Sequence, residues 1–174
     1  MPTGKLNFFL LVILLFASSA LFAQQGTTTA SAKDALTLLT DSDHPSVVLS
    51  AAELKAVPHI TVTIHNAHTN ADETYSGVRV SDLLGKLGVP LGNELRGKAL
   101  AHYIVAMGSD GYKAVLALGE VDPSFHPGEV LVADTIDGKP LDAHSGPLKL
   151  VVSEDKRPAR SVRNLVSIEL KEAQ

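Results

Sequence analysis

Beyond residue 34 the dominant pattern is alternation of apolar and polar positions, which marks half-buried strands. Ile60, Val62 and Ile64 alternate with threonines, and the β-rich runs Ala101 to Met107 and Tyr112 to Ala117 flank a GSDG turn of hairpin type. Further strands are expected at Ala35 to Thr40, Thr74 to Val78, Glu129 to Thr135 with Leu141, Pro147 to Val152, and Val166 to Leu170. Between Ile64 and Thr74 the residues His65 to Glu73 are polar and read as a connection. Asp41, Ser42, Asp43 and Pro45 supply turn chemistry after the first strand.

Helical periodicity is confined to short stretches. Ser50 followed three residues later by Glu53 is a capping box, opening a segment that Pro58 must stop. Val80, Leu83, Leu84 and Leu87 recur at helical spacing, Ser81 or the turn before it would cap them, and Gly88 stands where a helix end takes a left-handed residue. A third helical turn is expected around Arg160 to Leu165. Strands therefore dominate, and the fold class is α+β, β-rich, with a few short helices.

The first 23 residues follow a different pattern: Lys5, an apolar run from Phe8 to Phe16, then the small residues Ala17 to Ala20 and Ala23. That order is a secretory signal peptide, with cleavage after Ala20 or Ala23, and the apolar run is shorter than the about 20 residues of a membrane span. Residues 24–34 carry a Thr, Ser and Ala tract without hydrophobic period and read as a flexible linker, so that 35–174 forms one domain. The leader implies a periplasmic or secreted protein with no stable membrane span after its removal.

Composition narrows the chemistry. The chain has no cysteine, so an exported domain of this length relies on burial and hydrogen bonding and has no disulfide, cysteine nucleophile or thiolate metal ligand. A formal net charge of −4 argues against nonspecific nucleic-acid binding. Against that acidic background, Lys156, Arg157, Arg160 and Arg163 cluster, either as a solvated surface or as an anion site whose guanidinium forks match phosphate oxygens. His65 and His68 have no third ligand nearby in sequence, and no metal site is expected from them. Asp110, Gly111 and Tyr112 are explained by a tight turn with a half-buried tyrosine, and the Asp-Pro turn accounts for Asp122 without acid–base pairing to Glu120. No dinucleotide or P-loop glycine signature is present.

The order of motifs in the later chain adds more. Asp137 to Leu141, His144, Gly146 to Lys149 (GPLK) and Ala159 to Asn164 (ARSVRN) follow one another, preceded by ITVTIHNAH, YSGVRVSDLLGKLGV and GSDGYKAVLALGEVDP. In this order they resemble the molybdopterin-binding domain of sulfite-oxidase-type oxidoreductases, over roughly Ile60 to Leu170. The resemblance implies a β-rich sulfite-oxidase-type fold that binds molybdopterin. It implies that Arg160, Ser161 and Arg163 hold the pterin phosphate, that His144 lies near the cofactor, and that Tyr112 lies on the substrate side of its pocket. Arg163 stands where the family has Lys, and Asn164 where it has Trp. The segment in which the family carries its molybdenum-ligating cysteine corresponds to His65, Asn66, Ala67 and His68. The resemblance thus implies a pterin site, including His65 and Asn66, with altered or absent oxo-transfer activity; the alternative is a noncatalytic module that keeps the fold and binds another small anion or a protein partner. No motif specifies a substrate, an electron acceptor or a redox partner.

Overall fold

The structure is a computed structural model that describes residues 35–40 and 46–174. The expected leader and linker, and the turn residues Asp41 to Pro45, lie outside the described residues.

Ten strands form two five-stranded sheets. The first contains β1 (Ala35–Leu39), β2 (Val47–Ser50), β5 (His102–Gly108), β6 (Lys113–Ala117) and β10 (Leu165–Glu172), in the order β2-β1-β10-β5-β6. Only the β1–β10 pair in it is parallel; Thr37 faces Ser167 there. The second contains β3 (Ile60–Asn66), β4 (Ala71–Arg79) and β7 (Val130–Ile136) in that order. On the far side of β7, β8 (Lys139–Pro140) pairs with its last residues and β9 (Lys149–Val152) with its first, all antiparallel. Helix α1 (Ala51–Lys55) carries the expected capping box, with the Glu53 amide donating to Ser50 Oγ at 3.3 Å and the Ser50 amide to Glu53 Oε2 at 2.8 Å. Helix α2 is Val80–Lys86, and Gly88 follows it at φ 80°.

One core draws on both sheets. Leu36, Leu38, Ile104, Leu116 and Ile168 of the first meet Val78, Val130, Val132 and Leu150 of the second, and Leu83 and Leu84 of α2 close the cluster. The even–odd alternation of β7 sends its other side chains, Leu131 and Ala133, to the opposite face of the second sheet. There they join Tyr75 and Val151 in a smaller cluster flanked by the partly buried Ile60, Val62, Ile64, Ile136 and Leu141. Strand β7 is therefore buried on both faces.

Three sequence expectations are corrected, and one strand carries no sequence signal. His65 to Glu73 is no open connection: β3 runs to Asn66, β4 starts at Ala71, and a turn with Asn70 at φ 51° joins them. These hairpin ends are exposed, so their polarity resembled that of a loop. Strand β2 went unread because its four residues are too few for a period to show. The residue at the N-cap of α2 is Arg79, which makes no side-chain capping bond, and Ser81 lies buried within the helix. No helix forms over Arg160 to Leu165. A single 3₁₀ turn covers Pro158–Arg160, the chain then extends into β10, and the third helix, α3, is Leu118–Val121.

Two glycines mark close approaches. A Cβ on Gly77 would stand 2.2 Å from the Val132 carbonyl oxygen, and one on Gly108 would stand 2.7 Å from the Arg163 carbonyl oxygen. In both cases backbone would have to yield. Gly77→Ala is expected to cost about 2 kcal/mol or more through overpacking, read as a lower urea midpoint at an unchanged slope; an unshifted midpoint would show that β4 and β7 separate freely.

Candidate functional site

A cleft of about 750 Å³ opens where the tail of β7 leaves the second sheet and the β5–β6 turn of the first sheet reaches across. Its walls come from the β3–β4 hairpin (Asn66, Glu73, Tyr75), the β7–β8 turn (Ile136, Asp137, Lys139), the following loop (Leu141, Asp142, Ser145), β9 (Lys149), the residues Pro158, Ala159, Ser161 and Arg163, and the β5–β6 turn (Asp110, Tyr112). The apolar part of the lining, Tyr75, Ile136 and Leu141, is the margin of the smaller core cluster.

The loops around the cleft are tied by side chains that take the left-handed region. Asp137, at φ 49°, accepts from the Thr74 amide at 2.9 Å through Oδ1 and donates its own amide to the Thr74 carbonyl at 2.7 Å. Asn164, at φ 48°, donates from Nδ2 to the His144 carbonyl at 2.9 Å and from its amide to the Ser145 carbonyl at 3.0 Å, while its own carbonyl accepts from the Ser109 amide at 2.9 Å. Asn and Asp are the non-glycine residues that best tolerate this conformation. Three segments are thereby joined at the residue next to Arg163.

The sequence-derived site residues separate into two groups. Asn66, Tyr112, Ser161 and Arg163 line the cleft. His144 is linked to it, because Arg163 Nη1 donates to His144 Nε2. Tyr112 donates its hydroxyl to the Ala159 carbonyl at 2.5 Å, fastening the β5–β6 turn to the segment that carries Ser161. His65 sits apart on the exposed hairpin, paired with Asp72 at 2.8 Å. Arg160 is also outside the lining. Its guanidinium is bidentate to Asp155, at 2.7 and 3.0 Å, and reaches Glu120 at 2.8 Å. The helical turn expected around Arg160 to Leu165 would have brought Arg160 and Arg163 to one side, but the 3₁₀ turn ends at Arg160 and Ser161 after it is extended.

Lys149, Tyr75 and Glu73 are the residues that sequence reasoning missed. Lys149 Nζ donates to Tyr75 Oη at 2.7 Å and lies 4.5 Å from the centre of its ring. Tyr75 donates in turn to Glu73 Oε2 at 2.6 Å, and Asn66 Nδ2 donates to Glu73 Oε1 at 2.6 Å. Burial, the hydrogen bond to Glu73 and its charge all raise the Tyr75 phenol, so it stays protonated as a donor. Lys149 closes the GPLK motif and Tyr75 opens YSGVR, which were the available signals; nothing local to Glu73 announced it. Among the described residues neither Lys149 nor Arg163 forms an ion pair, whereas Arg160 forms two. The cleft thus sets Lys149 and Arg163 beside the Ser161 hydroxyl and an apolar shoulder, with Lys139 and the carboxylates of Glu73, Asp110, Asp137 and Asp142 also on its walls. Cations and a hydroxyl grouped beside apolar surface suit an anionic group carried on a flat organic body.

Fold and cleft together define a β-rich, two-sheet domain of cofactor-binding type. The family model described as the oxidoreductase molybdopterin binding domain matches residues 31–174, and the chain belongs to that family. Molybdopterin is the cofactor for which the family is named. No curated protein matches the chain. Among solved structures, the sulfane dehydrogenase SoxCD from Paracoccus pantotrophus is similar at a TM-score of 0.63 and 17% identity, over 81% of this chain and 39% of that one. At that identity the likeness speaks for the sulfite-oxidase-type fold, and the chain spans well under half the length of that relative.

Arg160 thus ties the 158–160 turn to α3, which yields a test in acid. Burial pushes the Glu120 carboxyl up, but the hydrogen bonds from Arg160 and the Ala117 amide, with the charges of Arg160 and His126, outweigh it and hold the group below its ordinary 4.5. A carboxyl depressed in the folded state contributes stability above its unfolded pKa and loses it as pH falls through the folded value. Arg160→Ala should therefore destabilise the protein at neutral pH, by about 1 kcal/mol for a partly exposed pair, and the loss should shrink below pH about 4. Urea unfolding of both proteins across that range checks it; a pH-independent difference would remove Glu120 from the account.

Proposed function

We propose that this protein is an exported domain that binds the pterin cofactor of its family through its phosphate, with oxo-transfer activity altered or absent. The observation that carries the reading is the contrast between neighbouring arginines: Arg160 is neutralised by Asp155 and Glu120, while Arg163 faces the cleft with Lys149 and Ser161. Charge-assisted hydrogen bonds contribute about 1.5–3 kcal/mol each, so two cations and a hydroxyl suffice for useful affinity.

The residues present fit the organic part of the cofactor. Arg163, Lys149 and Ser161 would hold the phosphate, His144 orients Arg163 from behind, and Tyr75, Ile136 and Leu141 offer apolar surface to the body of the ligand. The metal's usual protein ligand does not fit, because the chain contains no cysteine. The segment matched to the ligand-bearing loop is the β3–β4 hairpin, where Asn66 Oδ1 accepts from the His68 amide at 2.9 Å and His65 is held by Asp72. Bound molybdopterin would supply two-electron oxygen-atom chemistry when loaded with its metal; thiolate donation tunes such a centre, and neither an amide nor an imidazole substitutes for it.

The absent thiolate also supports the second reading, a noncatalytic periplasmic or secreted module that keeps the fold and takes another anion or a protein partner. Export rests on the order of Lys5, the Phe8 to Phe16 run and the small residues that follow. None of the described helices is long and apolar enough to cross a membrane.

Three measurements bear on these readings. Arg163→Ala and Lys149→Ala should each weaken binding of pyrophosphate, and of the pterin, by more than tenfold, about 1.4 kcal/mol. Arg160→Ala should not, and equal losses in calorimetry for all three variants would disperse the site. Supplied with molybdenum cofactor, the protein should turn over sulfite or sulfoxide far more slowly than a cysteine-bearing relative, and comparable rates would make the thiolate dispensable. Intact mass from an exporting host should place the mature terminus near Leu21 or Gln24; a retained Met1 in the membrane fraction argues for an anchor.

A further inference from the structure

We propose that Glu73 and Tyr75 form a positioning relay for Lys149, holding its ammonium at the cleft wall so that it and Arg163 meet a phosphate monoester together. This rests on the anion-binding reading and deepens it, since neither Glu73 nor Tyr75 is a cation and neither announces itself as part of such a site.

The argument starts from the directionality of the hydrogen bonds. Tyr75 has one proton and gives it to Glu73 Oε2 at 2.6 Å, which leaves its oxygen lone pairs facing Lys149 Nζ at 2.7 Å. The Asn66 amide occupies the other Glu73 oxygen at 2.6 Å, so the carboxylate cannot swing toward Lys149 and neutralise it directly. The ammonium keeps two of its three donors for the cleft. Tyr75 itself is fixed: it is 4% exposed and packs with Leu131, Ala133 and Val151. A long, flexible lysine stem carries large rotamer entropy, and a rigid phenol acceptor removes part of that cost before a ligand arrives.

Electrostatics support the same arrangement. Burial lowers the Lys149 ammonium, the Glu73 carboxylate raises it, Arg163 lowers it and Asp142 raises it. Burial prevails and leaves the ammonium below its ordinary value; the Glu73 carboxylate, held on the far side of the phenol, opposes that loss of charge without taking up the donors that a phosphate needs.

The test uses the whole protein, with pyrophosphate as probe. Tyr75→Phe keeps the ring, its packing and the cation–π contact but removes the acceptor; Glu73→Gln keeps an acceptor for the phenol but removes the charge. Tyr75→Phe should weaken pyrophosphate binding about fivefold with little change in melting temperature. In Glu73→Gln the alkaline limb of binding, and the Lys149 titration followed by side-chain NMR, should both move down by about half a pH unit or more. Lys149→Arg, whose charge does not titrate, should lose that limb. Wild-type binding that both relay variants leave unchanged, or an unmoved Lys149 titration in Glu73→Gln, overturns the relay while the anion site stands. Failure of the wild-type protein to bind pyrophosphate overturns the anion reading itself, and the relay's proposed role with it.

Discussion

Burial of one strand on both faces is the constraint from which the rest of this structure follows. Val130 and Val132 of β7 enter the core shared by the two sheets, and Leu131 and Ala133 enter the smaller cluster behind it. A shift of one residue in β7 would exchange the two sets and put side chains of the wrong size in each. Register is therefore pinned from both sides, and Gly77, with no room for a Cβ against the Val132 carbonyl, pins it again from β4. The double burial ends at Ala133, and at Ile136, where the strand stops, its margin becomes the apolar shoulder of the cleft. The site is positioned by a strand held from both faces, although most of its polar groups sit on loops.

Charge in the cleft is decided by partners rather than by residue type. Arg160 and Arg163 stand three positions apart, yet one is held by two carboxylates and the other, among the described residues, donates to the His144 imidazole and forms no ion pair. The difference originates in the backbone. The 3₁₀ turn at Pro158–Arg160 directs Arg160 toward α3 and Asp155, outside the cleft, and the chain after it carries Arg163 into the lining. A helix over the same residues would have placed both on one side and both in competition for Glu120 and Asp155.

The family's fold has been kept while the one residue type that its usual metal chemistry requires is missing. In the hairpin that corresponds to the ligand loop, Asn66 has structural work on both sides, accepting from the His68 amide and orienting Glu73. The hairpin is a wall of the cleft, stabilised by its own hydrogen bonds. On the proposed reading, fold and cofactor pocket are separable from redox chemistry, because the cations proposed to meet the phosphate come from β9 and the Arg163 segment, far along the chain from that hairpin.

Sequence alone determined the strand-rich class, because alternation at β3, β5 and β6 is a local property of a half-buried pleated surface. It determined α1, through the Ser50 and Glu53 capping box, and the end of α2 at Gly88. The motif order led to the family, and the cysteine count bears on its chemistry without reference to any coordinate. Among the candidate residues, Asn66, Tyr112, Ser161 and Arg163 were legible and do line the cleft, with His144 one contact behind. Tertiary structure decided the rest. Which arginine is free depends on Asp155 and Glu120, five and forty positions away from Arg160. Lys149 joins Tyr75 across a separation of 74 residues, and the polar stretch from His65 to Glu73 became a hairpin only through pairing that its exposed side chains do not reveal. Those outcomes are set by contacts between distant segments, and a local pattern of hydrophobic and polar residues carries no record of which segments will meet.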